Sequence, residues 1–137
     1  MPIIRFSKAD ILRSQTMEQQ WASFEITATG SRKNDAGDGT NYDVTLQLIE
    51  HKNPDLNGKE FKRTFSSKAI GMMIPLIAAV EDKDINTIKE EFDFDIDAFR
   101  GRKVDGKIIT DMYNNRPTNK VEEYLPYKKG VNLQPAF

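Results

Sequence analysis

Residues 61–78 read Phe61-Lys62-Arg63-Thr64-Phe65-Ser66-Ser67-Lys68-Ala69-Ile70-Gly71-Met72-Met73-Ile74-Pro75-Leu76-Ile77-Ala78, and the hydrophobic period changes inside this stretch. Phe61, Arg63 and Phe65 alternate with Lys62 and Thr64, the period of two that belongs to a strand. From Ser66 onward the apolar positions fall at Ile70, Met73, Ile74, Ile77 and Ala78, spacings that gather them on one face of a helix. Ser66 or Ser67 supplies the cap. Pro75 lacks the N–H that an inner turn requires, so the spacing predicts a kinked helix or one that begins late.

Outward from this junction the chain is strand-rich. Ala22, Phe24, Ile26 and Ala28 alternate with Ser23, Glu25 and Thr27, and Tyr42, Val44, Leu46 and Leu48 alternate with Asp43, Thr45 and Gln47. A polar, glycine-bearing loop is expected between these strands over 30–41, and a turn through Asn53-Pro54-Asp55 and Asn57-Gly58 leads into the third strand. Downstream of the helix, a second short helix is expected around Asp84–Glu91. A fourth strand runs from Gly101-Arg102-Lys103-Val104 to Ile109 or Met112, Tyr113–Asn119 reads as a loop, and Lys120–Leu125 is a fifth strand. Near the start, Ser7 and Asp10 have the spacing of a capping box for one short helix before Trp21. The order β-β-β-α-β-β predicts a mainly β (β+α) fold: a five-stranded Greek-key barrel of the OB type, with a helix between strands three and four.

Length and composition agree with one domain over 1–137, with 1–20 as an N-terminal arm and 127–137 as a C-terminal tail. The 20 basic and 21 acidic residues give a net charge of −1, which excludes a polybasic nucleic-acid binder but leaves room for a locally basic groove. The absence of cysteine removes disulfides, thiolate metal sites and thiol catalysis. His51 is the single histidine, so Ser-His-Asp chemistry would have to pass through it, and multi-histidine metal sites are excluded. The longest apolar stretch, around Ile70–Val80, is far shorter than the ~18–20 residues of a membrane span. No signal-peptide pattern opens the chain, so an intracellular protein is expected.

Five segments together resemble the single-stranded-DNA-binding proteins of tailed bacteriophages, a family of small OB-fold proteins. They are Phe6-Ser7-Lys8-Ala9-Asp10-Ile11 with Trp21; Gly39-Thr40-Asn41-Tyr42-Asp43-Val44; Gly58-Lys59-Glu60-Phe61-Lys62-Arg63-Thr64-Phe65; Phe99-Arg100-Gly101-Arg102-Lys103-Val104; and Asn119-Lys120-Val121-Glu122-Glu123-Tyr124-Leu125-Pro126. The resemblance spans residues 6–126 and rests on the order and spacing of the pieces. It implies binding of single-stranded DNA with little sequence specificity, during phage replication or recombination, in the cytoplasm of the infected host. The partners implied are that DNA and phage or host replication and recombination proteins, with no membrane, cofactor, metal or catalytic residue. The chain departs from the acidic tails of such proteins: no acidic residue follows Glu123, and Pro135-Ala136-Phe137 is only faintly similar to their tips.

Single-strand binding needs cations to follow phosphates and flat side chains on which bases stack. Residues 81–97 hold eight acids against Lys83 and Lys89, whereas the segment from Arg100 to Lys129 is net basic through residues that include Arg102, Lys103, Lys107, Arg116 and Lys120. The loops that flank an OB binding face would hold Arg32 and Lys33, then Tyr113 and Arg116. Phe61, Arg63 and Phe65 share one face of the third strand, as either a stacking platform or an inward pair with a snorkelling arginine. Trp21 and Tyr124 are each open to two readings, surface stacking or a hydrophobic plug at the barrel end. Asp93, Asp95 and Asp97 alternate with Phe92, Phe94 and Ile96, which reads as a polar edge over an apolar anchor rather than a metal cluster. The alternative function is an OB-fold protein-interaction or accessory module of a replisome or virion; the oligomeric state is left open.

Overall fold

The computed structural model describes residues 2–133, so the Pro135-Ala136-Phe137 terminus lies outside the described residues. Five strands form one antiparallel sheet: β1 (Gln20–Lys33), β2 (Thr40–Ile49), β3 (Glu60–Ser66), β4 (Lys103–Tyr113) and β5 (Arg116–Pro126), in the order β3-β2-β1-β4-β5. β1 is the shared strand. It pairs with β4 over Gln20–Glu25 and with β2 over Ser23–Lys33, and its register shifts between Ile26 and Ala28. Such a bulge bends a strand and increases its twist. β3 and β5 approach within 8 Å, Cα to Cα, but among the described residues no ladder joins them. Hydrogen bonding therefore closes no barrel; the strands form a mainly β sheet with helical segments between β3 and β4.

Three strands run further than the alternation foretold. β1 continues through Ser31, Arg32 and Lys33, leaving only 34–39 as a loop. β4 and β5 meet at Asn114-Asn115, both with positive φ (50° and 62°), so the expected Tyr113–Asn119 loop is a two-residue hairpin. Positive φ at both central residues is the I′ turn that matches sheet twist, and asparagine tolerates it. The flanking side chains are exposed on both faces, which is why no apolar period marks them as strand.

The core lies on one side of the sheet. Phe24, Ile26, Val44, Leu46 and Leu48 are fully buried with Phe99, Val104 and Ile108, and the rings of Phe24 and Phe61 meet edge to face with centroids 5.5 Å apart. Gly106 permits close approach: a Cβ there would lie 2.5 Å from Val121 Cγ1 and 3.1 Å from Phe24 Cε2. The helix begins late, as Pro75 requires: α2 is Ile74–Val80, with the proline in its first turn. Ser67–Met73 is 3-10, interrupted at Ala69, and Ser66 Oγ accepts from Lys68 N. That irregular turn carries Ile70 off the buried face, so it is exposed, while Leu76 to Val80 are buried. The expected helix around Asp84–Glu91 shrinks to a 3-10 turn, Ile85–Thr87, capped by Asp84. Asp95 caps a second turn, Ile96–Phe99, and buried Phe99 packs on Phe94 at 4.7 Å. At the chain start, α1 (Lys8–Ser14) has the expected capping box between Ser7 and Asp10.

The segment after β5 is fastened to the sheet. Asp105, fully buried on β4, accepts from Ser23 Oγ at 2.6 Å and from Val131 N at 2.7 Å. Gly130 lies against the indole of Trp21, where an added Cβ would come within 2.4 Å of Cε3.

Candidate nucleic-acid interface

The register sorts the expected stacking residues by face. Phe61 and Phe65 point into the core with Leu46 and Val44, and both are buried. Tyr124 is buried as well; its hydroxyl donates to Val121 O at 3.3 Å, and burial pushes its pKa up. Of the two readings of this stripe the inward one describes the fold, because the core consumes these rings. Arg63 follows them and leans over the Phe65 ring at 5.0 Å, close enough to Tyr124 to act on its hydroxyl. Trp21 is half-buried beneath Gly130, which is the plug rather than the open platform.

Opposite this face, the outer surface of β1, β2 and β3 is polar. Cross-strand neighbours there run Ala28–Thr45–Lys62 and Gly30–Asp43–Thr64, with Arg32 beyond them. Arg32 Nε donates to Asp43 at 3.1 Å, and Asp43 also accepts from Thr64 Oγ1 at 2.6 Å. The Thr64 hydroxyl first, and then Arg32, hold the Asp43 carboxyl below its usual pKa. Lys33 and Lys62 enter no ion pair among the described residues. Lys62 was not among the sequence candidates, although its parity opposite Phe61 and Phe65 placed it outside.

The basic segment is largely neutralised by acids both within it and outside it. Lys129 pairs with Asp82 at 3.0 Å, Lys128 with Glu50 at 2.9 Å and Arg100 with Asp97 at 3.7 Å. Lys107 pairs with Glu123 at 3.5 Å across the β4–β5 ladder. Lys120 sits 3.1 Å from Asp111 and 3.5 Å from Glu122; the bond to Asp111 raises its pKa and lowers that of the aspartate. Arg102 donates to Val80 O at 2.9 Å and so ties the end of α2 to the start of β4. Lys103 lies over the Tyr127 ring at 5.3 Å. Acidic and basic segments thus touch, where the sequence count suggested two separate poles.

One feature remains open to a ligand in both charge and ring area. The residues from Thr110 to Thr118 are exposed throughout, forming a hairpin that projects past the start of β1, whose Gln20 pairs with Ile108. At its tip Tyr113 and Arg116 are cross-strand partners, Tyr113 is 70% exposed, and Arg116 enters no ion pair among the described residues. Arg32 and Lys33 leave from the opposite end of β1 along the ladder. Compared with known proteins, the chain matches no family model and no curated sequence.

Proposed function

We propose that this protein binds single-stranded DNA with little sequence preference, as a phage-type OB protein that protects exposed strands in replication or recombination. In this reading it is a binding protein and no enzyme. The observation that carries it is the projecting β4–β5 hairpin, with an open tyrosine ring whose cross-strand neighbour is an arginine in no ion pair among the described residues. A ring to stack on and a cation for phosphate are the two elements a single strand needs. The strand order supports the same reading: β3-β2-β1-β4-β5 is the order of a five-stranded barrel opened between its outer strands, and OB barrels are commonly only partly closed. The outer face of β1 to β3, with Arg32 and Lys62, would then track backbone, while Lys33 lies at the rim.

Titration of labelled oligo-dT and of duplex of equal length, across a salt series, tests it. Single strands should bind well above duplex, with affinity falling as salt rises through counterion release. Equal affinity for duplex, or salt-insensitive binding, overturns the reading. The alternative, a protein-interaction module, draws on a different observation: Lys107, Lys120, Lys128 and Lys129 are already paired with carboxylates. Absence of binding to any oligonucleotide at low salt would favour it.

A further inference from the structure

The segment ahead of α1 makes no use of its apolar residues. Ile3, Ile4 and Phe6 are 93%, 74% and 68% exposed, with Arg5 between them. Scattered apolar exposure is ordinary, but three large side chains within four residues form a ligand-like stretch. At another place the fold leaves an apolar groove of about 320 Å³ between the 3-10 turn before α2 and the segment 92–96, with walls that include Ile70, Ile74, Phe92 and Phe94. Ile70 and Phe92 remain nearly half exposed on it. An adjoining cleft shares Phe92 with it and is lined by Glu90, Glu91 and Asp93, none of which enters an ion pair among the described residues.

We infer that the groove receives the Ile3-Ile4-Arg5-Phe6 arm of a second copy of this chain. Arm and groove match in chemistry: apolar side chains meet apolar walls, and Arg5 meets the carboxylates of Glu90, Glu91 and Asp93 in the cleft beside Phe92. Within one molecule the arm does not fill the groove: Ile3, Ile4 and Phe6 stay exposed while Ile70 and Phe92 are still open to solvent. Arg13 donates to Asn57 O at 3.1 Å, so the helix that follows the arm is fastened to the turn before β3 and not to the groove. Arm and groove are different surfaces, so two copies can exchange arms reciprocally or pass the contact from copy to copy. It needs no nucleic acid, so it stands or falls separately from the proposed function.

Sedimentation of the full chain over about 5–300 µM tests the inference, a range suited to a small contact. The wild type should self-associate, less so at high salt. Ile4→Asp/Phe6→Asp in the arm and Ile70→Asp in the groove should each weaken association at least about tenfold. An equimolar mixture of the two variants should associate again, since it pairs an intact groove with an intact arm. If Ile70→Asp does not fold, exposed Phe92→Asp takes its place. The chain lacks cysteine, so a Phe6→Cys chain mixed with a Phe92→Cys chain should form a mixed disulfide dimer. A wild type that stays monomeric throughout, arm variants that associate unchanged, a mixture that stays monomeric, or disulfides no more frequent between unlike than between like variants would each overturn the inference.

Discussion

His51 shows how one side chain can give this protein a pH dependence. The backbone N–H of Asn53 donates to His51 Nδ1 at 3.0 Å, which leaves Nε2 to donate to Gln20 Oε1 at 2.7 Å. Both bonds suit the neutral ring, and partial burial lowers the pKa below its ordinary 6.5. A depressed histidine pKa means that the unfolded chain binds the proton more readily. Stability is therefore fully present above about pH 6.5 and is lost as pH falls toward the folded value. The urea midpoint should drop between pH 7.5 and 5.5 in the wild type, and His51→Gln should flatten that drop. An equal slope in the variant would assign the effect to other groups. A second residue-scale outcome concerns Gly106→Ala, whose methyl would collide with Val121 and Phe24. Those side chains are locked in the core, so overpacking should cost about 1–3 kcal/mol, read by denaturant titration. A variant as stable as the wild type would mean that this seam has slack.

At the level of elements, the β4–β5 hairpin and the segment after β5 make separable predictions. Arg116→Ala should weaken oligo-dT binding and lower the magnitude of the log–log salt slope by roughly 0.7 for the lost phosphate contact. Tyr113→Leu should cost on the order of 1–3 kcal/mol of binding and leave the slope unchanged, because stacking releases no counterion. If neither variant changes binding, the strand does not cross this hairpin. The segment 128–133 depends on Asp105, which takes one hydrogen bond from β1 and one from Val131. Asp105→Ala leaves the buried Ser23 hydroxyl and the Val131 N–H without their acceptor, a loss of about 1–3 kcal/mol. Trypsin should then cut after Lys128 or Lys129 much faster than in the wild type. Unchanged cleavage would show that packing of Gly130 on Trp21 holds the segment alone.

For the molecule as a whole, the sheet order makes β3 and β5 its edges. Amides of Ser23, Phe24 and Glu25 lie on the strand flanked by both β2 and β4, and should be among the slowest to exchange with deuterium. The edge-facing amides of β3 and β5 should exchange much faster. Strong protection along both outer strands would mean that they pair and that the barrel closes in solution. No helix among the described residues is long and apolar enough to cross a membrane.

The sequence by itself determined the parts that depend on local period and local chemistry. Alternation marked the first three strands, Ser7 and Asp10 marked the first cap, and Pro75 delayed α2, because each acts through neighbours within a few residues. It could not show the ends of β1, β4 and β5, where side chains are wet on both faces and ladder hydrogen bonds alone define the strand. The candidate site divided in the same way. Tyr113 and Arg116 kept the exposure that their polar, turn-rich setting implied, whereas Phe61, Phe65 and Tyr124 could face either way until the sheet chose its buried side. Charge was the least legible property. Lys128 with Glu50 and Lys129 with Asp82 join residues 78 and 47 positions apart, so only the tertiary structure decides which cations remain free for phosphate. Coulomb energy follows distance in space, and a linear tally of charge carries none of that distance.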